Sequence, residues 1–409
     1  VNMSRTIDTQ LRNNLLVLFA AGLLFWSSLA SLLPTLPLYI ESVGATKQQI
    51  GIVLGSFAIG LLLFRPWLGR LADRRGRKIV LLIGTLVAAV APLGYLSIKS
   101  IPLLILLRVF HGISIAAFTT GFNALVADIA PLEKRGEIIG YMSLVNPIGV
   151  AIGPALGGFL QAGVGDQILF LITAELAFVA FLGILAIVNP PVARQQGDTR
   201  NSQFWRIVSS PRVRTPAIIM LLVGLAFGAL HTFVPLFIKS TGVNLNPGLF
   251  YTVGAVASFA VRLFTGKASD RLGRGLFITL SLVFYTLSMS LLWLANSSAA
   301  FLVAAIIEGA ASGTLIPMIA AMMVDRAQPY ERGQIFAICL MGMDVGIAIA
   351  GPVLGFVAEY IGYRNMFGLT AGLTFLSIFI FLTLSSKDLP SSVRFALGRG
   401  QDAYALKDT

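Results

Sequence analysis

"FRPWLGRLADRRGR" at residues 64–77 and "VRLFTGKASDRLGR" at 261–274 are two versions of one pattern, offset by 197 residues. Arg65, Gly69, Asp73, Arg74, Gly76 and Arg77 fall on Arg262, Gly266, Asp270, Arg271, Gly273 and Arg274. Such charge is rare in this chain of 409 residues, which is 56% hydrophobic and 12% Asp, Glu, Lys and Arg, with a mean hydropathy of +0.85. Soluble domains average about 25% charged residues, and a water-soluble fold of this size could not cover its surface with so few. Apolar runs long enough to cross a bilayer as helices recur from end to end. The chain therefore reads as a polytopic membrane protein, which excludes a secreted or nuclear one.

Working outward from the two charged islands, twelve spans are expected, near 14–40, 48–68, 79–97, 102–127, 137–162, 168–189, 215–239, 247–264, 276–295, 299–324, 334–360 and 365–385. The first apolar run is too long for a signal-peptide core and is expected to remain as a span. A polar stretch, 190–214, separates two sets of six. Its "FWRIV" (204–208) reads either as a surface-lying amphipathic helix or as ordinary linker. With the N-terminus placed in the cytoplasm, four of the 30 basic residues fall in outside loops (Lys47, Lys99, Lys239 and Arg364) and Arg108 falls within a span. All the rest lie inside, as the positive-inside rule requires. The formal charge of +12 is thus a topology signal, not a nucleic-acid patch. Cys339 is the single cysteine, so no intrachain disulfide can form.

The repeat extends beyond the islands. "PLYIESVG" (37–44) matches "PLFIKSTG" (235–242), Asp128, Arg135 and Gly136 match Asp325, Arg332 and Gly333, and "IGPALGG" (152–158) meets "AGPVLGF" (350–356). Two homologous six-helix bundles are an arrangement that secondary transporters use. The domain reading is an N-terminal bundle over 1–189, a cytoplasmic linker over 190–214, a C-terminal bundle over 215–385 and a cytoplasmic tail over 386–409.

Gly69-x-x-x-Asp73-Arg74-x-Gly76-Arg77-Lys78, between spans 2 and 3, resembles the signature loop of the major facilitator superfamily. Arg108-x-x-His111-Gly112 in span 4 resembles its second motif. "GVAIGPALGG" (149–158) resembles the span-5 motif of its antiporters, and "LLPTLP" (32–37) the paired prolines of its twelve-span drug:proton antiporter branch. The resemblance implies an all-α membrane fold of twelve helices in two pseudo-symmetric bundles. It implies a cytoplasmic gating latch built on Gly69, Asp73, Arg74, Gly76, Arg77, Asp270, Arg271 and Arg274. It also implies that the span-5 face of Gly149, Gly153, Pro154 and Gly157 meets a helix of the other half; close packing alone is the plainer reading. From the residues themselves, both islands are placed in cytoplasmic loops. Gly69 is expected to end span 2 and allow close helix approach, and Asp73 to face a helix N-terminus.

A charge near the centre of a span costs about 2.5–3.5 kcal/mol on insertion scales, so each ionisable group there needs a reason. Glu308 and Asp344 are placed near the midplane, with Arg108, His111 and Glu175 further out and His231 on span 7. In one reading a carboxylate takes and releases the coupling proton, since burial favours its neutral form; the candidates are Glu308, Asp344, Glu175 and, as an imidazole, His111. In the other reading these groups form static pairs, for example Arg108 with Glu175. Span 1 lacks the acid that several drug antiporters carry. It offers Trp26, Ser27, Ser28 and Ser31 instead. Cavity-lining spans 1, 4, 7 and 10, implied by the resemblance, add Arg108, His111, Phe118, Asn123, Phe227, His231, Phe233, Glu308 and Thr314.

No metal cluster is visible, two histidines do not make an HExxH site, and Gly266-Lys267 lacks the upstream glycine of a phosphate loop. An enzyme, a cofactor and a metal are not expected. The expected activity is alternating-access secondary transport, proton-coupled efflux of small amphipathic compounds from the plasma membrane. The alternatives are uptake of a sugar or organic anion and a non-transporting receptor or scaffold. The expected partners are a small-molecule substrate, protons and the lipid bilayer, without nucleic acid, and a monomer is the working expectation for assembly.

Overall fold

A computed structural model describes residues 2–131, 134–187, 210–328 and 332–405, without the side chains of 2–9, 267, 270, 332–334, 336 and 337. The expected linker over 190–214, with its "FWRIV" stretch, lies largely outside the described residues. Those described contain helices and no strand. The first half comprises α1 (Asn2–Ser42), α2 (Lys47–Arg75), α3 (Arg77–Ser97), α4 (Ile101–Ile129), α5 (Arg135–Ser143) and α6 (Val145–Ala186). The second comprises α7 (Pro211–Thr241), α8 (Pro247–Leu272), α9 (Arg274–Leu294), α10 (Ser298–Asp325), α11 (Arg332–Leu384) and the short α12 (Leu389–Ala396).

Among the described residues, ten helical stretches are long and apolar enough to cross a membrane. Two of them, Arg135–Ala186 and Ile338–Leu384, are of double length. Gly165 (φ 83°) turns the chain inside α6 and Gly362 (φ 78°) inside α11, so the crossings number twelve. Only glycine takes such angles without steric cost. The turn glycines obey the sequence repeat: Gly44 (φ 92°) corresponds to Gly242 (φ 69°), and Gly76 (φ 99°) to Gly273 (φ 90°).

The charged islands are not loops. α2 runs through Gly69 to Arg75, and Gly76 alone separates it from α3. α8 likewise runs through Gly266 to Leu272, and Gly273 separates it from α9. The glycine that ends the second span is therefore Gly76, not Gly69. A Cβ at Gly69 would meet nothing within 4 Å, so no close helix approach depends on it here.

The chain divides into two compact units: Val1–Ala45, Ile52–Gly197 and Asn246–Thr252 in the first, Thr46–Gly51, Asp198–Leu245 and Val253–Thr409 in the second. Within the first, α1 packs on α6, and α3 on α4 and α6; within the second, α7 packs on α11, and α9 on α10 and α11. Each unit has its own apolar core, one around Phe25, Phe118, Phe122 and Leu125, the other around Met220, Leu282, Leu315 and Phe381.

The second unit continues past its last crossing into α12. Phe395 of α12 enters its core, and Thr279 of α9 donates to the Ala396 carbonyl (2.8 Å). Arg326, at the end of α10, is fully buried. Its Nε donates to Asp402 (2.6 Å), and its terminal nitrogens donate to the carbonyls of Arg212 (3.0 Å) and Ser385 (2.8 Å). The expected tail is thus a strap that joins the ends of α7, α10 and α11.

Candidate functional site

α4 and α10 each place an ionisable group at the same point of the repeat. His111 follows Ile101, the start of α4, by as many residues as Glu308 follows Ser298, the start of α10. At about 1.5 Å per residue both lie roughly 15 Å along their helices. The two residues thus hold equivalent places along α4 and α10, a correspondence the sequence reading did not draw. The next residues, Gly112 and Gly309, are also equivalent. A Cβ on Gly112 would collide with the Phe57 carbonyl of α2, and one on Gly309 with the Gly254 carbonyl of α8. Both sites therefore sit where backbones cross closely, as small residues permit in membrane helices.

The site in the first unit is cationic. Arg108 stacks over the Phe57 ring (Cζ to centroid 4.4 Å) and is half-buried. One terminal nitrogen lies 3.4 Å from His111 Nδ1, which also lies 3.1 Å from the Tyr95 hydroxyl. A guanidinium only donates, so Nδ1 accepts and Nε2 carries the proton of the neutral imidazole. Among the described residues neither that Nε2 nor Arg108 Nε has a hydrogen-bond partner, although both are buried. An unpaired buried donor costs about 1–3 kcal/mol. Ala305 occupies the position equivalent to Arg108, so the guanidinium belongs to one half only.

The site in the second unit is acidic. Glu308 is 9% exposed and its Oε1 has no hydrogen-bond partner among the described residues. Ser312, one turn along α10, donates to the Gly309 carbonyl (3.3 Å), and the Tyr285 hydroxyl, like Glu308 Oε1, has no hydrogen-bond partner among the described residues. Tyr285 is fully buried. The sequence reading missed Phe57, Tyr95, Tyr285 and Ser312. The offset of 197 that aligns the charged islands also aligns His111 with Glu308, and was the available signal.

Other expected site residues are placed elsewhere. Glu175 is exposed, on the α6 face that also exposes Leu171, Phe178 and Leu182. No ion pair joins it to Arg108 among the described residues, so the expected static pair is absent there, and its carboxylate is not desolvated by protein. Phe118 is buried and stacked on Phe25 (3.8 Å) and against Phe122 (5.2 Å), so its ring is core, not cavity lining. Ser28 donates to the Thr173 carbonyl (2.8 Å), and Ser31 donates to the Ser28 carbonyl (2.7 Å) with its hydroxyl 3.2 Å from that of Thr173. Those hydroxyls serve α1 and α6 rather than a free surface. Phe233 is buried as well, while Asn123 is exposed, and Ser27 and Thr314 are buried. Trp26 is half-buried against Phe25, and Phe227 and His231 lie ring to ring (4.1 Å), both half-buried. Asp344 is half-buried. No cluster of three His, Cys, Asp or Glu suited to a metal occurs among the described residues.

The islands build a repeated ion pair at the ends of the helices. Arg77, the first residue of α3, binds Asp73 (2.6 Å) and Asp128 at the end of α4 (3.1 Å). Its equivalent Arg274 binds Asp325, the equivalent of Asp128. Asp73 thus reaches the side chain of the first residue of α3, and no side-chain cap hydrogen bond is made at that N-terminus. The side chain of Asp270 lies outside the description, and Arg74 and Arg271 are exposed. Lys78 donates to the carbonyls of Leu185 (2.8 Å) and Ile187 (2.7 Å), closing the end of α6.

The span-5 glycines meet a helix of their own half. Cβ atoms on Gly149, Gly153 and Gly157 would strike Trp26, Ser27 and Ser31 of α1. This corrects the expectation that they face the other half, and supports close packing. Pro154 is buried beside them. Gly158 instead approaches Asn246 and Gly248, which belong to the first unit.

The family model of the Major Facilitator Superfamily matches residues 18–274 and again 246–404. The multidrug resistance protein MdtG of Klebsiella pneumoniae is 26% identical over 388 residues, covering 91% of this chain and 93% of that protein. Its Proteus mirabilis counterpart is 27% identical over 386 residues, covering 90% and 94%. Among solved structures, a mutant of the nucleoside transporter NupG superposes with a TM-score of 0.81 at 17% identity, covering 90% of this chain and 99% of that one. A bacterial homologue of the human lysosomal transporter Spinster superposes with a TM-score of 0.76 at 15% identity, covering 96% and 99%. These two share the fold. With the repeat, the twelve crossings and the matched family model together, the chain belongs to the major facilitator superfamily and is an integral membrane transporter, not an enzyme.

Proposed function

We propose that the protein exports small amphipathic compounds in exchange for protons, by alternating access between the halves 1–189 and 215–385. The observation that carries this reading is Glu308, a buried carboxyl with one oxygen lacking a partner among the described residues. A carboxyl enclosed by protein favours its neutral form and, once hydrated, favours the ionised one. Alternate exposure to the two sides of the membrane then moves a proton. The similarity to multidrug resistance proteins over nine-tenths of the chain supports export. In this reading the protein sits in the plasma membrane with both termini in the cytoplasm, and Asp73 with its neighbours biases the cycle as a cytoplasmic latch. Asp344 is the second coupling candidate.

Uptake of an organic anion is the competing reading, favoured by the half-buried guanidinium of Arg108. Flux into proteoliposomes under an imposed pH gradient, across cationic, neutral and anionic amphiphiles, separates the two. Exchange predicts substrate moving against the proton flow. Movement with the protons, or indifference to the gradient, overturns the proposal.

A further inference from the structure

The acidic and cationic sites share a position in the repeat but differ in chemistry. Glu308 supplies an acceptor, while Arg108 and His111 supply donors and a full positive charge. We propose that Arg108 and His111 form a binding subsite for an oxyanionic group on the transported compound, a carboxylate, sulfonate or phosphonate attached to an apolar body. This deepens the export reading and rests on it.

Three observations converge. The guanidinium pairs with no carboxylate among the described residues; its neighbours are the Phe57 ring, His111 and, through His111, Tyr95. It carries a donor, Nε, with no acceptor, and His111, 1% exposed, carries another at Nε2. Among the described residues the buried polar atoms left unpartnered at this site are both N–H groups, which suits a ligand made of acceptors. The fork of a guanidinium matches the two oxygens of a carboxylate or sulfonate, and a lysine ammonium does not. Phe57 lies under the guanidinium, placing an apolar surface beside the charge for an aromatic or aliphatic body. His111 orients Arg108 by accepting from its terminal nitrogen, and Tyr95 holds His111 in turn. Arg108 is half-buried, so its charge is neither sealed inside the protein nor fully hydrated.

Equilibrium binding tests this without any gradient, so failure of proton coupling leaves the result readable. The probes are radiolabelled 2-naphthoate and naphthalene-2-sulfonate against 2-naphthylmethylammonium, which has the same aromatic body and the opposite charge. The protein is held in phosphatidylcholine nanodiscs, with empty nanodiscs subtracted. The wild type is expected to bind both anions at least tenfold more tightly than the cation, and Arg108→Gln to remove that preference. If Arg108→Gln fails to fold, Arg108→Lys carries the test: it keeps the preference for anions but weakens both about tenfold. A wild type without anion preference, an Arg108→Gln protein that retains it, or an Arg108→Lys protein of unchanged affinity overturns the proposal.

Discussion

Asp402 Oδ2 lies 2.6 Å from Arg326 Nε, and the arginine side chain has no exposure to solvent. Removing one partner of a buried pair leaves an uncompensated charge, which costs about 3–5 kcal/mol. Asp402→Ala is therefore expected to lower the thermal unfolding midpoint of the purified protein clearly, although the residue lies beyond the last membrane crossing. Replacing both partners with apolar residues of similar volume should recover most of the loss. An unchanged midpoint in Asp402→Ala would show that the strap does not hold the ends of α7, α10 and α11.

Glycines of the motifs divide by what surrounds them. Gly112→Ala and Gly309→Ala force a Cβ into the carbonyls of Phe57 and Gly254, and each is expected to destabilise by about 1–3 kcal/mol. Gly69→Ala meets open space inside a helix and should stabilise this state by about 0.5–1 kcal/mol. Thermal unfolding of the three variants checks the ordering. If Gly69→Ala transports poorly while melting higher, the glycine matters to another state of the cycle.

Asp73→Asn should fold nearly as well as the wild type. The Asp73 side chain is 63% exposed, and Arg77 retains Asp128 at 3.1 Å, so the stability lost is below about 1 kcal/mol. Transport should nevertheless fall strongly, because a latch acts through its differential energy between states, about 1–3 kcal/mol. Initial rates of flux in proteoliposomes at matched protein density decide this, and wild-type rates would remove the latch.

The strap has its own pH limit. Asp388 caps α12, accepting from the Ser391 amide and hydroxyl (2.9 Å each). The Ser391 backbone bond first, then its hydroxyl, hold the carboxyl below its usual range. A depressed folded-state value means that the cap contributes fully above the unfolded value of about 3.9 and is lost as pH falls through the folded one. Hydrogen-exchange protection of the Ser391 amide should hold at pH 6 and drop once the pH is below the usual aspartate range. Equal protection at both would show that the cap does not secure the helix.

The fold was legible because two signals were redundant. Apolar length gave the crossings, and the repeat of Arg77 and Arg274, with Asp128 and Asp325, gave the symmetry. The islands were misplaced because charge suggests loop, whereas a helix continues until a glycine takes positive φ, here Gly76 and Gly273. Phe118 and Glu175 were misplaced for a related reason: a helical span has several faces, and one sequence does not say which turns inward. The strap escaped notice because Arg326 has no equivalent in the first half, where Ile129 stands, and its partner Asp402 is 76 residues away.

The central claim is that Glu308 couples the proton to transport, and pH-gradient-driven flux through Glu308→Gln tests it most directly. Glutamine keeps the size and hydrogen-bonding ability of the side chain and abolishes its titration. The account predicts that gradient-driven flux is lost while exchange without a gradient survives, and that Asp344→Asn is milder. Wild-type proton dependence in Glu308→Gln would contradict it, and loss of that dependence in Asp344→Asn would transfer the role to Asp344.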